Sequence, residues 1–274
     1  MAKLQAGLYR AAVYLGLFFS VGVLVMIVGY ILVKGIPHLS ADLFAWKYNS
    51  NNVSMLPSMI NTLLMTILAL FVCVPLGIGA AIYLTEYAGR GSKLVKLVRM
   101  TAETLSGVPS IIYGLFGALF FVVALKMGLS LLSGALTLSI MVLPTIIRTT
   151  EEALLAVPDS YREGSFGLGA GRLHTTFKVV LPSAVPGILS GVILAIGRIV
   201  GETAALIYTA GTVPKIPDSL MDSTRTLAVH MYTISTEGLY IDQSYATAVV
   251  LLILVLIINS ISAFIAKRIG GKTV

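Results

Sequence analysis

Apolar residues run along this chain in stretches of roughly 20 positions, the length a helix needs to cross the hydrocarbon core of a bilayer. The stretches are Ala12 to Val33, Met59 to Leu84, Leu105 to Leu125, Gly128 to Ile147, Ser183 to Ala210 and Tyr245 to Ala266. None alternates between apolar and polar positions as a membrane barrel strand does, so each is predicted to be a helix. The expected fold class is an all-α membrane protein with six transmembrane helices. Only Lys126 and Met127 separate the third span from the fourth, which predicts a tight hairpin.

Composition agrees with that pattern. Apolar residues make up 57% of the chain and charged residues 11%, more apolar surface than a water-soluble fold can hide. The formal net charge of +7 changes the picture only through its distribution. Lys34, Lys47, Lys126, Lys215 and Arg225 fall on one side of the predicted spans, Arg198 lies within the fifth, and every other Lys and Arg falls on the opposite side. Basic loops stay cytoplasmic, so both termini are expected there, and the excess charge needs no nucleic acid to explain it. The first span follows Lys3 and Arg10 as a secretory signal would, but its apolar run is too long and no clear cleavage site follows, so it is expected to stay as an anchor. Cys73 is the single cysteine, and His38, His174 and His230 are scattered, so neither a disulfide nor a metal site is expected.

Two glycine-containing strings resemble nucleotide sites and fail on context. Gly271-Lys272-Thr273 ends like a phosphate loop, but Ala266 stands where the first glycine belongs and a membrane span precedes it. Gly167, Gly169 and Gly171 lack the strand before them that a dinucleotide fingerprint needs.

The segment from Arg148 to Pro182 is the informative loop. Pro158-Asp159-Ser160 reads as a helix start, and a short helix from about Ser160 to Leu168 should end at Gly169, where a missing side chain permits a left-handed turn. Its Tyr161, Phe166 and Leu168 offer an apolar surface. The fifth span carries the other unusual chemistry, because Arg198 and Glu202 lie among apolar and small residues, where a charge costs at least ~2.5–3.5 kcal/mol. Four residues apart, they are expected on one helix face, either as a self-neutralising ion pair or as an anion site built on the Arg198 fork. Ser183, Gly187, Gly191 and Ala195 form one ladder of small residues, and Gly197, Gly201 and Ala205 a second, each able to admit a close helix from this chain or a partner.

Glu163-Gly164-Ser165, then Gly169, then Val179, Leu181 and Pro182 resembles the signature of ABC-importer permeases, with Gly164 and Ser165 in place of two alanines and Val179 in place of isoleucine. The resemblance implies a type I importer permease bundle of the MetI kind, in which this loop seats in a groove of an ATPase. Glu163 would be the polar contact, Phe166 an apolar knob and Gly169 the returning turn.

The run Gly197 to Ala205, with Gly107 to Gly117 and Thr226 to Tyr232, is similar to phosphate importer permeases of the PstA type. That family implies alternating access around a substrate path holding Arg198, Glu202 and Thr203, in a plasma (inner) membrane of a bacterium or archaeon. It also implies a sister permease PstC, two PstB ATPases carrying ATP and Mg, and an external phosphate-binding protein PstS, with no cofactor on this chain itself. The expected layout is a tail, anchor and external loop in 1–58, a permease core in 59–266 and a cytoplasmic tail in 267–274. The external loop from Gly211 to Ser244 should hold a helix near Thr224 to Ile234 and touch the binding protein. Other cargoes of the same fold are phosphonate, sulfate and molybdate. A secondary transporter would more naturally show an internal repeat with paired broken helices, and no such repeat stands out. An intramembrane enzyme would need a catalytic constellation that these residues do not supply.

Overall fold

The computed structural model describes residues 2–89 and 92–270, so Arg90 and the Gly271-Lys272-Thr273 string lie outside the described residues. Every regular element among them is helical. Helix α1 (Ala2–Gly35) is mostly exposed from residue 12 to residue 34 and meets the bundle through α11 (Ile241–Gly270), where the Tyr30 and Tyr245 rings lie edge to face 5.9 Å apart. Helix α2 (Leu56–Ile82) starts on Pro57, whose missing N–H costs nothing in a first turn, and runs on through a wider π turn at Tyr83–Tyr87. Helix α5 (Leu131–Leu155) starts on Ser130, whose hydroxyl accepts the Ser133 N–H at 3.2 Å. The predicted hairpin before it is present, turning through Lys126 and Gly128 at positive φ.

Helix α5 is the hub. Leu138, Met141, Val142 and Ile146 are buried against Met65 and Ala69 of α2 and against Ile199 and Leu206 of the fifth span. Lipid gives no hydrophobic drive for helices to associate, so close packing and polar links carry the contact. Ser139 supplies one such link, donating to the Ala69 carbonyl at 3.0 Å. Five helical rods among the described residues are long and apolar enough to cross a membrane, six when one bent pair is counted as a span.

That bent pair corrects the third span. The sequence suggests one rod from Leu105 to Leu125; the chain instead forms α3 (Lys93–Ser106) and α4 (Ser110–Gly117), the latter continued by a π segment at Ala118–Ala124. The two are bent by 103°. Gly107 loosens the chain, and Pro109 lacks an N–H and drives Val108 out of helical conformation. Leu105 therefore lies in a helix turned by 103° from the one that follows it, not in a single straight rod.

The loop at 148–182 is also narrower than expected. Helix α5 continues to Leu155, and the fifth span begins early, as α7 (Arg172–Thr175), a π turn at Thr176–Val180 and α8 (Leu181–Val200). Between them stands α6 (Asp159–Gly167), and the left-handed turn falls at Gly169, φ +84°. The fifth span breaks at Gly201 and resumes as α9 (Ala204–Thr209). A last short helix, α10 (Leu227–Thr236), precedes α11 close to where the sequence puts it. Ion pairs bring residues 83–89 and 92–109 together with residues 148–182 at one end of the bundle, here called the basic end.

The two small-residue ladders have separate fates. A Cβ at Gly187 would lie 2.6 Å from Ala153 Cβ, and one at Gly191 would overlap the Thr149 side chain, so the first ladder packs inside this chain against α5. A Cβ at Gly197 meets nothing within 4 Å, and one at Gly201 meets only the Gly197 carbonyl, so the second ladder remains open there. Gly191→Leu is expected to destabilise the chain by about 1–3 kcal/mol through overpacking. Thermal denaturation in detergent should show a lowered midpoint for Gly191→Leu and an unchanged one for Gly197→Leu.

Candidate functional site

The two breaks meet. Gly114 of α4 lies against α9 so closely that a Cβ would sit 2.7 Å from Ala205 Cα, and one at Gly117 would sit 2.8 Å from Thr209 Cγ2. The bend before α4 is pinned by Tyr113, whose hydroxyl donates at 2.7 Å to the Leu105 carbonyl, which also accepts the Val108 N–H at 3.0 Å. Broken helices are tolerated at membrane depth where protein or a polar path surrounds the freed backbone groups.

Arg198 sits in the last turn of α8, where the negative end of the helix dipole favours a cation. It is half-buried, and its Nη1 donates to Thr145 Oγ1 of α5 at 3.1 Å. Glu202 does not join it. The expected shared face does not exist, because α8 ends at Val200 and Glu202 lies in the break. Its Oε1 instead accepts the Ala205 N–H at 3.0 Å, filling an open donor in the first turn of α9. Among the described residues no ion pair involves Arg198, which leaves a cation with most of its donors unengaged beside a helix break. Thr203 is half-buried in that same break.

At the basic end, α6 and the residue after it leave Tyr161, Phe166 and Leu168 exposed by 51%, 47% and 91%. Glu163 and Gly164 are exposed beside them, while Ser165 turns inward to share a 2.8 Å hydrogen bond with Thr175. Leu181 and Pro182 open α8 and are half-buried.

Sequence reasoning missed the ion pairs that hold this end. Arg99 of α3 binds Glu151 of α5, with Nε 2.6 Å from Oε1, and Arg148 binds Glu152 at 2.9 Å; together they line a cavity of about 300 Å³. Arg162 of α6 binds Glu86, in the π turn after α2, at 2.7 Å. The available signal was an acid closing an apolar run, Glu86, facing loops rich in arginine.

At the opposite end, residues 211–226 fold back onto α2. Asn61 donates to the Lys215 and Arg225 carbonyls at 2.9 and 3.2 Å, and Thr62 accepts the Leu227 N–H at 2.9 Å. Arg225 lies 4.8 Å over the Tyr48 ring, whose edge-to-face neighbour is the buried His230. Burial, with the Arg225 cation beside it, pushes His230 down to about 3, so the ring is neutral and serves as packing.

Residues 73–272 match the family described as the binding-protein-dependent transport system inner membrane component. The probable ABC transporter permease protein YqgI of Bacillus subtilis is 33% identical over 98% of this chain and 96% of its own. The phosphate transport system permease protein PstA of Pasteurella multocida is 37% identical over 76% of this chain and 74% of its own. PstC of Mesorhizobium japonicum, from the same kind of system, is 30% identical over 84% and 78%. Among solved structures, a chain of a bacterial ABC transporter involved in import of the acidic polysaccharide alginate superposes with a TM-score of 0.67 at 14% identity, covering 97% of this chain and 99% of that one. A chain of the inward-facing MetNI methionine ABC transporter gives 0.55 at 21%, covering 89% and 97%. The fold is that of ABC importer permeases of the MetI kind.

Proposed function

The chain belongs to the family of binding-protein-dependent transport system inner membrane components, and from that premise we propose that it is the PstA-type permease subunit of an ATP-driven importer of inorganic phosphate. Arg198 is the observation that carries the choice of cargo. A guanidinium fork matches phosphate oxygens two at a time, and this one stands at a helix break with no carboxylate to neutralise it.

In this reading the basic end is cytoplasmic and the membrane is the bacterial or archaeal plasma membrane. The partners are a PstC-type permease, two PstB-type ATPases that carry ATP and Mg, and a PstS-type phosphate-binding protein docking at the end that holds α10. The exposed surface of α6, with Glu163, Phe166 and the Gly169 turn, seats in the ATPase, and the chain itself is a transport subunit without catalysis. Moving an anion into a cell that is negative inside costs ~2.3 kcal/mol per charge per 100 mV, so import needs that engine. ATP-driven closure of the ATPases rocks the two permeases around Arg198, exposing it alternately to each side.

The complex reconstituted in vesicles tests the cargo. ATPase activity and uptake should rise with the phosphate-loaded binding protein and stay at background with sulfate, molybdate or phosphonate and their binding proteins. Stimulation by one of those oxyanions in place of phosphate would replace the cargo, and uptake without an ATPase would replace the mechanism.

A further inference from the structure

Helix α6 has no buried residue of its own element, and a cavity of about 790 Å³ opens beside it, lined by Glu86, Tyr87, Arg162, Phe166 and Arg172 among others. A push on α6 can pass to the start of the fifth span through the 2.8 Å bond between Ser165 and Thr175, but toward α2 it faces this cavity. What crosses the gap is Arg162. Its Nη2 donates to Glu86 Oε1 at 2.7 Å and its Nε to the same oxygen at 3.2 Å. Nη1 donates to the Val157 carbonyl at 2.8 Å, and Nη2 to the Leu154 carbonyl at 2.9 Å. One guanidinium thus joins α6, the carbonyls of Leu154 and Val157 at the end of α5 and the turn that ends α2.

The pair differs from every other ion pair among the described residues. Arg162 and Glu86 side chains are 16% and 9% exposed, whereas each of the others has a partner exposed by 49% or more. Exposed pairs are screened and weak, while a buried charge left without its partner is strongly disfavoured, so this link resists separation under load. The π turn at Tyr83–Tyr87 carries Glu86 at the end of α2, and a π turn inside a helix often marks a functional position. Beyond the turn, α2 spans the bundle to Asn61 and Thr62, which hold residues 215–227 at the far end.

We propose that Glu86 and Arg162 form the clamp that makes α2 move with α6, so that motion of the coupling helix reaches the opposite face of the membrane along α2. Both are positioning residues, since neither touches substrate. The inference rests on the coupling role given to α6 above, and its first test reads motion without reference to cargo.

Spin labels at Ser160→Cys and Tyr83→Cys, both exposed in this chain, report the separation of α6 from the end of α2. In the assembled complex that distance should hold constant between ATP-bound and nucleotide-free states, and in Glu86→Gln it should change with nucleotide. A distance that changes in the parent complex overturns the clamp. Transport supplies the second reading: Glu86→Gln should keep ATPase activity within about twofold while substrate moved per ATP falls at least tenfold. Unchanged transport per ATP in the assembled variant overturns the proposal. If Glu86→Gln fails to assemble, the pair Glu86→Cys and Arg162→Cys, joined by a short thiol-reactive crosslinker, decides. Restored transport per ATP on linking supports the clamp, and linked complexes that stay uncoupled overturn it. If the parent complex moves a different oxyanion, the cargo reading falls, and the same ratios are read on that oxyanion.

Discussion

Arg198→Met is expected to lower phosphate uptake by roughly 10- to 100-fold in a complex that still assembles, because a hydrogen bond to a charged group contributes about 1.5–3 kcal/mol and each 1.4 kcal/mol is tenfold. Assembly should survive, since removing the charge relieves a cation of its place within an apolar span and Arg198 is tied to the bundle by a single bond to Thr145. Arg198→Lys keeps the charge but loses the planar fork, so uptake should fall by an intermediate factor. Glu202→Gln makes the sharper contrast. Glu202 accepts the Ala205 N–H and does not pair with Arg198, and an amide oxygen accepts that bond equally well, so uptake should stay within about threefold of the parent. Radiolabelled phosphate uptake at matched complex levels checks all three. Near-parental uptake in Arg198→Met rejects the anion role, and a loss in Glu202→Gln as deep as in Arg198→Met would show that the two charges act together after all.

Gly169→Val carries the second large effect. Gly169 has φ +84°, and a Cβ there would touch nothing within 4 Å, so the cost is conformational and does not come from a clash. A left-handed residue costs an ordinary side chain about 1–2 kcal/mol, and a β-branched one is a genuine outlier there. The chain will relieve that strain by tilting α6 or unwinding its last turn, which carries Phe166 and leads into Leu168, so the apolar surface offered to the ATPase loses its shape. The spans should insert normally, while ATPase recovered with the permease, or phosphate moved per ATP, falls at least tenfold. Gly167→Ala is the control, because that position also opens into free space but has no positive φ. Copurification and coupled transport near parental levels in Gly169→Val would remove α6 from the coupling path.

What the sequence determined by itself was whatever depends on composition and local order. Unbroken apolar runs require helices because lipid offers backbone groups no partners, so the class, five of the straight spans and the hairpin at Lys126 could all be read directly. The same holds for α6, whose start at Pro158 and left-handed stop at Gly169 are properties of the residues themselves.

Tertiary structure decided the rest. Pro109 sat in view within the third span, yet Pro75, Pro144 and Pro186 lie inside helices that run on, so the residue alone cannot say which proline bends a rod. The bend appears where α4 can pack its Gly114 against Ala205 of α9, a surface supplied from far along the chain, while the Tyr113 bond to the Leu105 carbonyl holds it locally. Four-residue spacing likewise suggested that Arg198 and Glu202 pair, but spacing fixes a shared face only while the helix continues, and it ends at Val200. The clamp was the least legible, because Glu86 and Arg162 are 76 residues apart and a buried ion pair depends on which elements the fold brings together.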